Sequence, residues 1–239
     1  MKLSTLLLAL GVLLVPAVSD ADDKRPAKKR DAKPAPALRS PQQIDRSLPN
    51  VLLIGDSISL GYHAEAVKQL SGEANVFRPN TNCGPSTRGL AEIEKWIGDR
   101  KWDVIHWNHG LHDLKYLGPN GENLADPEAD TSHQQVPPDE YKANLAKLAK
   151  RMKATGAKVI FCETTPVPQG AKGRVVGDSK RYNDAAREVM AEIGGIDIDP
   201  LYEFAMQHAE TQKPANVHYT AEGSAKLAEQ VAKVIRQHL

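Results

Sequence analysis

The stretch Val51-Leu52-Leu53-Ile54-Gly55-Asp56-Ser57-Ile58-Ser59 decides how the rest of the chain is read. Its four apolar residues follow a polar, Pro-rich lead-in, the pattern of a parallel-sheet strand buried on both faces. Gly55 ends the strand. From Ile58 onward, Leu60, Ala64, Val67 and Leu70 recur at helical spacing. Asp56 and Ser57 therefore fall on a strand-to-helix turn, at the sheet edge where open α/β folds bind ligands. The helix start favours negative charge developing beside it, which makes Ser57 the candidate nucleophile. The competing reading is that Asp56 or Ser57 simply caps the helix, as both residue types do well. The same tripeptide recurs as Gly177-Asp178-Ser179, ahead of a helical pattern over Tyr182–Ile193. That copy follows a Gly- and Lys-containing loop and no strong strand, so Ser179 reads as a cap.

The 239-residue length and 41% hydrophobic content suit one α/β domain of about 190 residues behind a targeting region. A formal net charge of +1 gives no strong pull toward nucleic acid. Lys2, the apolar run Leu3–Val18 and the small residues Ser19 and Ala21 read as a secretory signal peptide over residues 1–21. The alternative is an uncleaved N-terminal membrane anchor, because Asp20 makes the cleavage region irregular. Nothing after this run is long and apolar enough to span a membrane. Residues 22–48, rich in Lys, Arg, Pro and Ala, read as a disordered basic linker before a domain spanning 49–239. Export permits a bridge between Cys83 and Cys162, but two cysteines in a domain of this size do not require one.

Strands and helices alternate along the domain. Further strands are expected at 75–78, 102–107, 157–162 and 196–198, with helices over 87–97, 138–155, 179–193, 199–210 and from Thr220 to the end. Residues 114–136 form a long irregular insert, suited to one wall of a substrate cleft. The alternation predicts a three-layer α/β/α sandwich with a central parallel sheet. Polar residues gather in the loops at the carboxyl ends of its strands: Ser57, then Asn82 and Gly84, then Asn108, His109, His112 and Asp113. His218 precedes the last helix. A serine hydroxyl needs a base, usually His, and donors for the oxyanion it creates.

In these residues the chain resembles the SGNH (GDSL-like) hydrolases, over about residues 49–239. Gly55-Asp56-Ser57-Ile58 is similar to the first block, Asn82-Cys83-Gly84 to the second, Gly110-Leu111-His112-Asp113 to the third, and His218 to the base of the last, Asp-x-x-His. The resemblance implies the flavodoxin-like SGNH fold, Ser57 as nucleophile and the Gly84 backbone N–H as an oxyanion donor beside that of Ser57. Two departures stand out. His112 occupies the place of the family's oxyanion-hole Asn, and a neutral imidazole can still donate one N–H. Asn108 is the substitute donor. Ala215 occupies the place of the acid that orients the base, so a Ser57–His218 dyad is expected unless another group reaches in; Asn216 could orient the ring without adding charge.

His106, His109 and His112 are regularly spaced, yet they cross from strand to loop, so no metal site is expected. Neither nucleotide-binding glycine pattern is present, so no cofactor is expected, and the Gly-x-Ser-x-Gly elbow of ordinary α/β-hydrolases is absent. The reading is an exported serine esterase acting on a small-molecule or polysaccharide ester; with no lipid-docking hydrophobic segment, the resemblance implies removal of short acyl (acetyl) groups from carbohydrate. Its rivals are an acyltransferase, lipase or thioesterase with the same residues, and a carbohydrate- or surface-binding protein that has lost catalysis.

Overall fold

The computed structural model describes residues 38–40 and 43–239. The expected signal peptide and the linker up to residue 37 lie outside the described residues. Among the described residues eight strands and six α-helices follow in order: β1 (Leu38–Arg39), β2 (Asn50–Ile54), α1 (Ser57–Gln69), β3 (Asn75–Pro79), α2 (Ser86–Ile97), β4 (Val104–Trp107), β5 (Tyr116–Leu117), β6 (His133–Gln134), α3 (Pro138–Lys153), β7 (Lys158–Cys162), α4 (Asp178–Ile193), β8 (Ile196–Asp199), α5 (Leu201–Gln207) and α6 (Ala221–Arg236).

The main sheet runs β1-β3-β2-β4-β7-β8. Its strands from β3 to β8 are parallel, and β1 pairs antiparallel on the edge. The parallel strands thus take the order 2-1-3-4-5, and β2 and β4 flank the point where the connections reverse direction. Helices cover both faces, α1 packing on α6, and α3 packing between α2 and α4. Val51–Ile54 are at most 1% exposed, as a strand covered on two sides must be. Trp96, Trp102 and Trp107 are buried as well, with Trp107 edge-on to Phe161.

Three expectations need correction. The linker does not extend to residue 48: Leu38–Arg39 adds to the free edge of β3, and the Asn75 side chain ties down Asp45 and Leu48. Asp199 belongs to β8, and the helix expected over 199–210 is the shorter α5 followed by a 3₁₀ turn at Ala209–Thr211. The insert 114–136 carries a small sheet of its own, β5 paired with β6. Cys83 and Cys162 are free and buried.

One buried cation fixes the site-bearing edge. Arg78, at 0% exposure, donates from Nη2 to the Gly55 carbonyl (3.1 Å) and the Ser59 hydroxyl (3.0 Å). Its Nη1 donates to the carbonyls of Pro79 (2.8 Å) and Thr81 (3.1 Å). The planar guanidinium thereby joins the loop after β3 to the turn after β2, which a lysine's single ammonium cannot do with the same geometry. Replacing Arg78 with Lys is expected to lower unfolding free energy by about 2–4 kcal/mol in urea titrations, because buried carbonyls lose their donors. A change below about 0.5 kcal/mol, the scale of an ordinary surface substitution, would refute that role.

Candidate active site

Ser57 is the first residue of α1, and the preceding residue does the capping. Asp56 accepts from the Ile58 N–H at 2.9 Å, which leaves the Ser57 hydroxyl free to face outward. A Cβ at Gly55 would lie 2.8 Å from the Ser59 Cβ, so only glycine lets the chain turn this tightly out of β2. The Ser57 N–H, at the helix start, has no intrahelical acceptor.

His218 comes from the far end of the chain, on an irregular hairpin in which Gln212 bridges Tyr219. Lys213 N–H donates to the His218 carbonyl at 2.9 Å. Val217 and Tyr219 on either side are buried, and His218 between them lines the cleft. Its Nε2 lies 2.9 Å from Ser57 Oγ. Its Nδ1 lies 2.7 Å from Asn216 Oδ1, and its own backbone N–H donates to that same oxygen at 3.0 Å. A backbone N–H can only donate, so the Asn216 atom facing it is the oxygen. Nδ1 must then carry the proton, and Nε2 presents its lone pair to Ser57. Asn216 thus fixes the tautomer that a base for Ser57 requires. Ala215, in the place of the family's acid, sits in the left-handed region at φ 50° in the turn that presents Asn216.

His112 reaches the same cleft, with its Nε2 3.5 Å from Asn82 Nδ2. Burial, chiefly, holds its imidazole below the usual range, with Lys115, Arg174 and His218 adding to the effect against Asp56. The cleft holds about 380 Å³ and is lined by Ser57, Asn82, His112, Asn216 and His218 together with residues of the loops around 115–124 and 171–174. The insert expected to form one wall does so through Lys115, Asn123 and Leu124.

Two expected donors are held elsewhere. Asn108 donates its amide to the Cys162 carbonyl at 2.8 Å, away from the cleft. The Gly84 N–H donates to Asn82 Oδ1 at 2.9 Å and is thereby engaged, while Asn82 itself lines the cleft and carries a further donor, its Nδ2. Ser179 is not the cap of α4: Gly177 holds that position with φ 93°, and the Ser179 hydroxyl is buried in the first turn. It therefore lies closed to any substrate.

The three regularly spaced histidines go separate ways. His109 is buried, donates from Nδ1 to the Gly84 carbonyl at 3.0 Å and is pushed down to about 4 by burial. His106 pairs with Asp199 (2.9 Å) in the core, where Gln230 takes the other carboxylate oxygen and Cys162 lies alongside. These last three could each offer a metal ligand, with ligand atoms within 4.8 Å of one another. Yet burial lifts the Cys162 thiol well above its usual range, and His106 Nε2 is already taken by Asp199, which fits a structural polar cluster in which only His106 Nδ1 is left without a partner.

The chain belongs to the GDSL-like lipase/acylhydrolase family, whose model matches residues 51–231. It is therefore a carboxylic ester hydrolase by family. No curated protein matches it in sequence. Among solved structures it is similar to a lipase/acylhydrolase from Enterococcus faecalis, at 17% identity over 80% of this chain and 96% of that one, with a TM-score of 0.63. An acetylxylan esterase from Geobacillus stearothermophilus matches at 20% identity, over 78% of this chain and 94% of that one, with the same TM-score of 0.63. The acetyl xylan esterase AlAXEase matches at 13% identity over 78% and 99%, with a TM-score of 0.60. Among the described residues, no helix is long and apolar enough to cross a membrane.

Asp113, in the third block, accepts from the Ser86 N–H at 2.7 Å, while its other oxygen is buried without a partner. Burial raises it from 3.8 to about 7. Between those values the folded chain holds a proton that the unfolded chain has lost, so this group's contribution to stability falls as pH rises. Asp113→Asn removes that proton exchange. The stability difference, variant minus wild type, should grow by up to about 1.4 kcal/mol per pH unit from roughly pH 4 to 7 and stay flat above. A difference independent of pH would refute the assignment.

Proposed function

We propose that this chain is an exported serine esterase that removes short acyl groups, acetyl by preference, from carbohydrate. The observation that carries the reading is the relay from Asn216 Oδ1 through His218 to Ser57 Oγ, with spacings of 2.7 and 2.9 Å. His218 Nε2 takes the hydroxyl proton as Ser57 Oγ attacks the ester carbonyl. The oxyanion is met by the Ser57 N–H, His112 and the Asn82 amide; the Gly84 N–H joins only if Asn82 Oδ1 releases it. His218 then gives its proton to the leaving alcohol. Water, deprotonated by the same nitrogen, attacks the acyl-enzyme, and the acid leaves as Ser57 regains its proton. Asn216 is a positioning residue: it holds the tautomer but brings no charge to the imidazolium.

Only four of the thirteen residues lining the cleft are apolar, Leu124, Ala171, Ala215 and Val217, which favours a short acyl group over a fatty chain. The acetylxylan esterases among the similar structures agree with that choice but reach it through the fold alone. Export rests on the sequence pattern of residues 1–21.

Hydrolysis of an aryl acetate tests the reading. Ser57→Ala should abolish turnover, while Asn216→Ala should lower kcat by at least about tenfold with little change in KM, since tautomer control acts in the transition state. Asn216→Asp should raise kcat by roughly tenfold, because a charge-assisted bond to the imidazolium is about twice as strong. Full activity in Ser57→Ala would overturn the mechanism.

A further inference from the structure

The cleft around Ser57 is lined by three cations, Lys115, Lys172 and Arg174, and by no carboxylate. The chain as a whole is nearly neutral, at +1, so this excess is local. Among the described residues none of the three forms an ion pair, whereas cations elsewhere do: Lys142 with Glu188, Arg151 with Glu94, Arg236 with Glu73. Arg174 is held in place by backbone, its Nε donating to the Leu111 carbonyl at 3.2 Å and its Nη1 to the Lys172 carbonyl at 3.4 Å. Nη2 is left for another acceptor. Two carboxylates, Asp126 and Glu128, line the adjoining groove, and neither lines the Ser57 cleft.

Such a grouping has a cost. Lys115 is half-buried, and its ammonium is pulled below its usual range by burial first and then by Arg174. Arg174 is likewise pulled down by burial. Asp113 acts on Lys115 and Asp56 on Arg174, but neither carboxylate lines the cleft, and an anion entering between the cations relieves the repulsion among them. Clefts of one sign also concentrate ligands of the other.

We infer that the substrate of this site is an acyl ester on an acidic sugar, with a carboxylate or sulfate near the ester held by Lys115, Lys172 and Arg174. The inference rests on the esterase reading above and specifies its substrate. In it, Ser57 cuts the ester while the fixed anion on the carbohydrate sets the orientation. A role limited to stabilising the oxyanion would instead help neutral and anionic esters alike.

The test compares kcat/KM for three acetylated oligosaccharides of equal length: a neutral xylo-oligosaccharide, a sulfated xylo-oligosaccharide and an oligogalacturonide. An aryl acetate serves as the neutral reference. The expected result is a preference of about tenfold or more for at least one anionic ester over the neutral one. That preference should shrink as salt rises to about 0.5 M, through screening. Lys115→Gln combined with Lys172→Gln should bring the anionic-to-neutral ratio toward one, and Arg174→Gln should do the same, with folding checked by melting temperature. The oligogalacturonide and sulfated arms separate carboxylate from sulfate as the source of the charge. Neutral esters cut as fast as anionic ones, anionic esters left uncut by an enzyme that cuts the aryl acetate, or variants that slow all esters equally would overturn the inference and leave the esterase reading standing. Failure to cut any of the four would instead bring down the esterase reading itself, and this inference with it.

Discussion

The contact of the buried Arg78 guanidinium with the Gly55 carbonyl governs the chemistry-bearing edge of this fold. A parallel sheet delivers its strands to that edge, but the loops beyond are irregular, and their backbone groups need partners. Arg78 supplies four donor contacts to two such loops from one rigid plane. With Gly55 held from one side and Asp56 capping α1 from the other, Ser57 has little freedom left. In the proposed mechanism the nucleophile must be positioned before it can be activated, and that positioning comes from the scaffold.

The proposed base, His218, is fixed by a different device. Where the family carries an acid three residues before the histidine, this chain has Ala215, and the turn containing it takes a left-handed residue. The turn places Asn216 so that one carbonyl oxygen accepts from both the backbone and the ring of His218. The ring orientation is thereby kept, while the electrostatic support an acid would give the imidazolium is absent. Lys115, Lys172 and Arg174 line the same cleft, so an anionic substrate would bring the negative charge that the site's own residues do not supply.

Much of the fold was legible because doubly covered strands leave continuous apolar runs: Val51–Ile54 and Val159–Cys162 both read as strands and are strands. Thr220, read as the cap of the last helix, accepts from the Gly223 N–H. A two-residue edge strand such as Leu38–Arg39 has no periodicity to read, so from sequence it merges with the linker before it. Ser57, His218 and His112 were legible through their motif blocks, and they meet at one cleft. The role of Asn216 was only half visible, since it depends on a backbone N–H whose direction no spacing reveals. Asn108 looked suitable as a donor because its loop is right, but its amide turns to Cys162. Arg78 looked like an ordinary charged residue at a strand end, since nothing in sequence marks a buried guanidinium. The cations of the cleft come from two separate loops and converge only when folded.

The most direct test of the central claim, that Ser57 is activated by His218 as held by Asn216, is covalent trapping with a fluorophosphonate followed by peptide mass mapping. The account predicts one phosphonyl adduct, on Ser57, forming far more slowly in His218→Ala. An adduct on Ser179, or none on an enzyme that still hydrolyses esters, would contradict it.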